Sequence, residues 1–199
     1  MKRKGRNFVF LVLYVDDILL ASSDINLLND TKAFLSKCFD MKDLGEAAYV
    51  LGNEIKRDRS KYLLGLSQQS YITKVLKRFE MQQCSNGEVP ISKGDKLNQT
   101  ECPSNDLERE DMKNRPYAKL VGSLMYAQVC IRSDLAFAVG VLSRFQSNPS
   151  YKHWVAGKKI LRYLQRTKHH MLMYIRVKEL EVVGFTDSNF TGSYPASGN

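Results

Sequence analysis

The sequence has no C-x-x-C pair, only three histidines and five prolines, and no apolar run long enough to cross a bilayer. Each shortage excludes something. Cys38, Cys84, Cys102 and Cys130 stand singly, so neither a zinc site nor a disulfide framework is indicated, and a reducing intracellular compartment, cytoplasmic or nuclear, is the plain reading. Scarce proline beside 43% hydrophobic residues argues against wholesale disorder. At 199 residues the chain suffices for one good core or two small ones. The opening MKRKGRN followed by FVFLVLYV imitates a signal peptide. However, Asp16 and Asp17 interrupt it where a cleavage site should approach, and so short a run cannot span a membrane as a helix. Neither secretion nor a membrane partner is expected.

Acidic residues are also in deficit. Thirty Lys plus Arg against twenty-one Asp plus Glu leave +9, and the excess collects at residues 2–6, 56–61, 74–78 and 152–168. Clusters of this kind suit a phosphate backbone, although many basic helical faces are merely solvated.

The patterning predicts an α+β chain. Residues 8–15 are rich in Val, Leu, Phe and Tyr without a helical period, which reads as a strand buried on both faces, followed by a reversal and a returning strand over 18–21. Ser23, Asp24 or Asn26 can cap a helix whose stripe, Leu27, Leu28, Phe34, Leu35, Cys38 and Phe39, reads as core. Asp43-Leu44-Gly45 reads as a turn, 49–56 as a strand and 62–66 as its hairpin partner across a basic link. Ser67 or Ser70 can cap a helix running to Met81, with Tyr71, Ile72, Val75, Leu76 and Phe79 on one side and Lys74, Lys77 and Arg78 on the other.

Residues 82–115 are polar, lack an apolar period and read as a linker at a domain boundary. Helical patterns follow at 117–129 and 134–146, and Asn148-Pro149 suits the start of a third helix over 151–167. In that helix Trp154, Gly157, Ile160, Leu161 and Leu164 face one way, while Lys152, Lys159, Arg162 and Arg166 face the other. Such a basic stripe suits a phosphate rail as well as it suits a solvated face. Strands are expected near 171–176 and 181–186. His169-His170 reads as a solvated loop, and His153, at a helix start, as a local hydrogen-bonder.

Asp16-Asp17 poses the chemical question. Asp is a common turn residue, yet a carboxylate pair between two apolar strands is costly unless something compensates it. Mg²⁺ prefers oxygen ligands from one or two Asp together with substrate phosphates, and two-metal phosphoryl transfer needs such a site. No third carboxylate is obvious at the end of another apolar strand.

The string LVLYVDDILLAS, with DLG at 43–45, LGNEI at 51–55, LSQQSYITKVLKRFEM at 66–81, YAKLVGSLMYA at 117–127 and HWVAGKKILRYLQRT at 153–167, resembles the reverse transcriptase region of copia-like LTR retrotransposon Pol polyproteins. Nearly the whole chain takes part. The resemblance implies a polymerase palm hairpin and thumb helix over 1–81, a polar linker over 82–115, a helical connection over 116–170, and the truncated start of an RNase H-like domain over 171–199. It makes Asp16 and Asp17 catalytic Mg²⁺ ligands, Tyr14 a contact near the primer end, and Asp187 the first RNase H carboxylate. The implied partners are an RNA template, a DNA primer, their hybrid and the remainder of the Pol polyprotein.

Two positions depart from the family pattern: Ser133 stands where Pro is usual, and Asn189 where a second Asp is common. The family's first metal-binding Asp lies upstream of the hairpin and is not in this sequence, so the polypeptide alone is expected to lack polymerase and RNase H activity. A non-catalytic nucleic-acid-binding module is the alternative, and an enzyme completed by another chain is a third reading. Strands left without their upstream neighbours are expected to expose an aggregation-prone edge.

Overall fold

A computed structural model describes residues 2–177 apart from Lys93 and Lys96. An antiparallel sheet of β1 (Lys2–Lys4), β2 (Asn7–Tyr14) and β3 (Asp17–Ser22) begins the chain, in the order β1-β2-β3. Helix α1 (Ile25–Cys38) then packs back on it. Of the three possible caps Asp24 does the work, its Oδ1 accepting from Leu27 N at 2.7 Å.

Burial here falls short of the sequence expectation. The strand read as covered on both faces hides only Val9, and the α1 stripe read as core hides only Leu27, while Phe34 and Phe39 are exposed. The physical reason is coverage: among the described residues α1 is the only helix packed on this sheet, and one amphipathic helix cannot cover both faces of an apolar sheet.

A second sheet follows. The stretch expected as one strand over 49–56 is two, β4 (Tyr49–Val50) and β5 (Asn53–Asp58), paired antiparallel about Leu51-Gly52. Both turn residues have positive φ, 49° and 73°, as a tight hairpin reversal requires. β6 (Leu63–Ser67) pairs with β5 as predicted. The fourth strand, β7 (Met171–Ile175), comes from the stretch assigned by resemblance to the RNase H-like start, yet it pairs with β6 from Leu63↔Ile175 to Ser67↔Met171. The expected strand over 181–186 lies outside the described residues.

The core sits in the helices. α2 (Gln69–Arg78), α3 (Asp106–Lys113), α4 (Tyr117–Cys130), α5 (Ala136–Ser143) and α6 (Tyr151–Thr167) contribute to one apolar cluster. Ile72, Val75 and Leu76 of α2 meet Leu120, Leu124, Leu142, Ile160, Leu161 and Leu164 in it. No side chain caps α2; Ser67 Oγ instead accepts from Gln69 N just before the helix. The polar segment 82–115 is not an empty spacer: it adds Met112 to the cluster, and Cys84, Ile91 and Leu97 pack against its edge.

Helix α6 has the predicted bounds but a different start. Ser150, not Asn148-Pro149, is its N-cap, in a reciprocal box with His153. His153 Nδ1 accepts from Ser150 N at 2.9 Å and lies 2.8 Å from Ser150 Oγ. A histidine here takes the place of the Glu or Gln of the usual capping box.

Replacing Leu161, fully buried, with alanine should lower stability by about 2–5 kcal/mol through lost contacts and the cavity left; urea denaturation measures it. Burial drives the His153 pKa below its usual 6.5, with Glu101 acting in the opposite sense and Lys152 reinforcing the shift. The unfolded chain therefore binds the proton more readily. The contribution to stability is complete above 6.5 and is lost as pH falls through the folded value. The thermal midpoint should accordingly drop on acidification below pH 6.5, and His153→Asn should flatten that part of the profile.

Candidate metal hairpin and nucleic-acid interface

The β2–β3 hairpin ends in the pair Tyr14↔Asp17, leaving Val15 and Asp16 as its two-residue loop. The register follows from pairing Val9 with Ser22 through Leu13 with Ile18. Val15 has φ 51°, a conformation that a β-branched residue adopts at a cost of about 1–3 kcal/mol. Asp16 and Asp17 are both exposed at this tip. Their hard oxygens suit a divalent cation, but among the described residues no three His, Cys, Asp or Glu side chains gather into a group able to hold a metal. The hairpin offers part of a ligand set. Asp187 lies outside the described residues.

Tyr14 is exposed and lies near Tyr126 of α4. The Tyr126 hydroxyl donates to the carbonyl of Leu51 in the β4–β5 turn, and its ring stands 4.7 Å from that of Tyr71 on α2. Burial, and then the Cys130 thiol, push the Tyr126 hydroxyl pKa up, so it remains a donor. Tyr126 thus joins the second sheet to the helices. Sequence reading missed it because it falls within an ordinary helical pattern.

The two basic helical faces differ in their surroundings. On α2, Lys74, Lys77 and Arg78 are exposed, opposite Ile72, Val75 and Leu76. Arg78 Nη1 donates to Ser123 Oγ at 3.2 Å, while Lys74 and Lys77 form no ion pair among the described residues.

On α6 every predicted cation meets the segment 85–101. Lys152 Nζ is 2.8 Å from Glu101 Oε1, and Lys159 Nζ pairs with Asp95 Oδ1. Arg162 Nε donates to Ser85 O at 3.0 Å, and Arg166 lies 3.9 Å from Glu88. Burial opposes ionisation of Asp95, but hydrogen bonds from Lys159 and Ser92 N outweigh it and hold the pKa below the usual carboxylate range. Asp95 and Glu101 were not candidates in the sequence because they sit in a stretch with no period to place them.

A third cluster locks the end of α6. Arg132, 4% exposed, pairs with Asp134 at 2.8 Å and donates to Thr167 Oγ1 at 2.7 Å. The Tyr163 hydroxyl donates to the same Asp134 at 2.8 Å. Burial raises the Asp134 pKa, and the Arg132 and Tyr163 bonds more than reverse it. Ser133, the departure from the usual Pro, opens the short 3₁₀ turn Ser133–Leu135 within this lock. His169 and His170 are exposed just beyond the helix.

A family model described as reverse transcriptase (RNA-dependent DNA polymerase) matches residues 1–93. The retrovirus-related Pol polyprotein from transposon TNT 1-94 of Nicotiana tabacum is 45% identical over 186 residues, which are 94% of this chain and 14% of that protein. The corresponding polyprotein from transposon RE1 of Arabidopsis thaliana is 34% identical over 96% of this chain and 12% of its own length. An uncharacterized mitochondrial protein of Arabidopsis thaliana is 34% identical over 92% of this chain and 72% of its own length. The chain therefore spans about one-seventh of the tobacco polyprotein. No solved structure matches it. No helix among the described residues is long and apolar enough to cross a membrane. With the YVDD hairpin and the ordered motifs beyond it, these likenesses show that the chain belongs to the reverse transcriptase family of copia-type retrotransposon Pol polyproteins.

Proposed function

We propose that this chain is the back part of the palm, the thumb and the connection of an RNA-directed DNA polymerase, and that it does not polymerise by itself. In this reading residues up to about 60 are palm, α2 belongs to the thumb, 116–170 to the connection, and Asp187 to the first strand of an RNase H-like domain. Asp16 and Asp17 would hold Mg²⁺, which would supply activation of the primer hydroxyl and charge stabilisation of the triphosphate, and Tyr14 would sit near the primer end.

The observation that carries the proposal is the hairpin tip. Asp16 stands on a two-residue loop whose first residue, Val15, is held at φ 51°, Asp17 opens the returning strand beside it, and backbone strain of this kind clusters at functional sites. Adjacent carboxylates repel, and a divalent ion offsets that repulsion. A working pair of ions needs a further carboxylate, which we assign to another part of the Pol polyprotein. Purified chain should show no template-dependent primer extension with Mg²⁺ or Mn²⁺. Incorporation that disappears in Asp16→Asn would overturn the proposal, whereas extension appearing only on addition of an upstream Pol segment would support it.

A second reading, nucleic-acid binding without chemistry, is favoured by the exposed Lys74 and Lys77, which have no ion pair among the described residues. Each phosphate neutralised releases counterions, so affinity falls with salt in proportion to the contacts made. Fluorescence anisotropy with an RNA–DNA hybrid should show binding at low salt. Replacing Lys74 and Lys77 with Gln should make the slope of log affinity against log salt shallower by about 2. Absence of affinity at low salt would end this reading.

A further inference from the structure

The segment 85–101 is seated on α6, and its contacts have three independent origins. The first is ionic: Glu101 on Lys152 and Asp95 on Lys159, both carboxylates less than one-fifth exposed. The second is backbone packing. Gly87 N donates to Arg162 O at 3.0 Å in the middle of the helix, and a Cβ at Gly87 would lie 2.9 Å from Tyr163 N and 3.1 Å from Arg162 C. Backbone meets backbone there only because the position is glycine. The third is apolar: Ile91 and Leu97, with Cys84 just ahead of the segment, pack against the helical core.

Apolar and backbone contacts would hold such a segment without any charge. The carboxylates are therefore not the segment's sole attachment, and they change what the α6 face presents. Lys152, Lys159 and Arg166 keep 69%, 40% and 51% of their side chains exposed. Their ammonium and guanidinium groups meet the same oxygen chemistry that a phosphate backbone offers.

We propose that α6 is a second, masked polyanion-binding face, on which Asp95 and Glu101 occupy the places of nucleic-acid phosphates. Phosphate competes with these carboxylates for the ammonium groups of Lys152 and Lys159, whose side chains stay partly exposed, while the rest of the segment stays anchored through Gly87 and its apolar residues. The face thus fits a phosphate backbone, and binding there is weakened by the chain's own acids. The inference rests on the nucleic-acid-binding reading above, extended to a helix separate from α2.

The test uses the full-length chain with its acids neutralised as D95N/E101Q, and anisotropy with an RNA–DNA hybrid across a salt series. The expected result is affinity higher by about tenfold at low salt and a salt slope steeper by about 2. A matched control, D106N/E110Q, removes the same charge from α3, where the acids pair with their own helix through Arg109 and Lys113; it should move the affinity by less than half as much. Adding K152Q/K159Q should abolish the gain in the D95N/E101Q background and change little in the unmodified chain. Gly87→Ala, which pushes the segment off α6 without altering charge, should raise affinity in the same direction. Equal responses to D95N/E101Q and to the α3 control, or a gain that survives K152Q/K159Q, would overturn the masked face. Hybrid binding that depends on Lys74 and Lys77 but ignores D95N/E101Q would overturn it while sparing the nucleic-acid reading. Absence of binding by every variant would overturn both.

Discussion

At Gly157 a Cβ would lie 2.5 Å from Leu120 Cδ2, so the lack of a side chain there leaves the space that Leu120 of α4 fills against α6. A glycine inside a helix costs about 1 kcal/mol relative to alanine. Close approach returns more, because it lets Leu120, Leu142, Ile160, Leu161 and Leu164 reach near-complete burial, each contributing about 1.5–3 kcal/mol of transfer free energy. The same contact sets the rotation of α6 about its axis. With Gly157 and Leu161 turned to the core, Lys152, Lys159 and Arg166 face outward, where the segment 85–101 meets them. Arg132, buried between Asp134 and Thr167, fixes the far end of the helix.

The N-terminal sheet has no comparable anchor. Its apolar residues lie against a single helix, and Phe10, Val12 and Leu13 remain about half exposed or more. An apolar strand of this composition is otherwise found covered on both faces. Among the described residues α1 is the layer packed on this sheet, which leaves these side chains open. Val15 departs from the usual hairpin chemistry as well: a β-branched residue at φ 51° is unfavourable where Asn or Gly would serve better.

Sequence patterning was most informative where apolar residues recur densely. The α6 faces divide as the 3.6-residue period predicts, residue by residue, because the buried stripe is continuous from Trp154 to Leu164. The YVDD hairpin was equally legible, since carboxylates interrupting two apolar runs leave few alternatives. Reversal at Leu51-Gly52 was hidden, for Leu is a poor marker of a turn at φ 49° and the flanking residues read as one strand. Helix α3 was invisible because only Met112 of it is buried. Its formation rests on Asn105 capping Glu108 N and on Glu108 reaching back to Ser104 N. Pairing of Asp95 with Lys159 joins residues 64 apart, and no local pattern encodes that.

Net charge shows the same gap between composition and surface. The excess of +9 counts every lysine and arginine alike, yet the fold divides them into classes with different consequences. Arg132 is buried in a structural lock, Arg57 and Arg59 share Glu46 beside the second sheet, and Lys152 and Lys159 lie under intramolecular carboxylates. Lys74 and Lys77 are exposed on α2 and have no ion-pair partner among the described residues. The positive charge open to a polyanion is therefore less than the sequence suggests, and the part of it on α2 sits on a helix that shares its core with α4 and α6. That shared core matters for recognition, because a charge on a well-packed helix holds its place against a phosphate with less ordering cost than one on a loose segment.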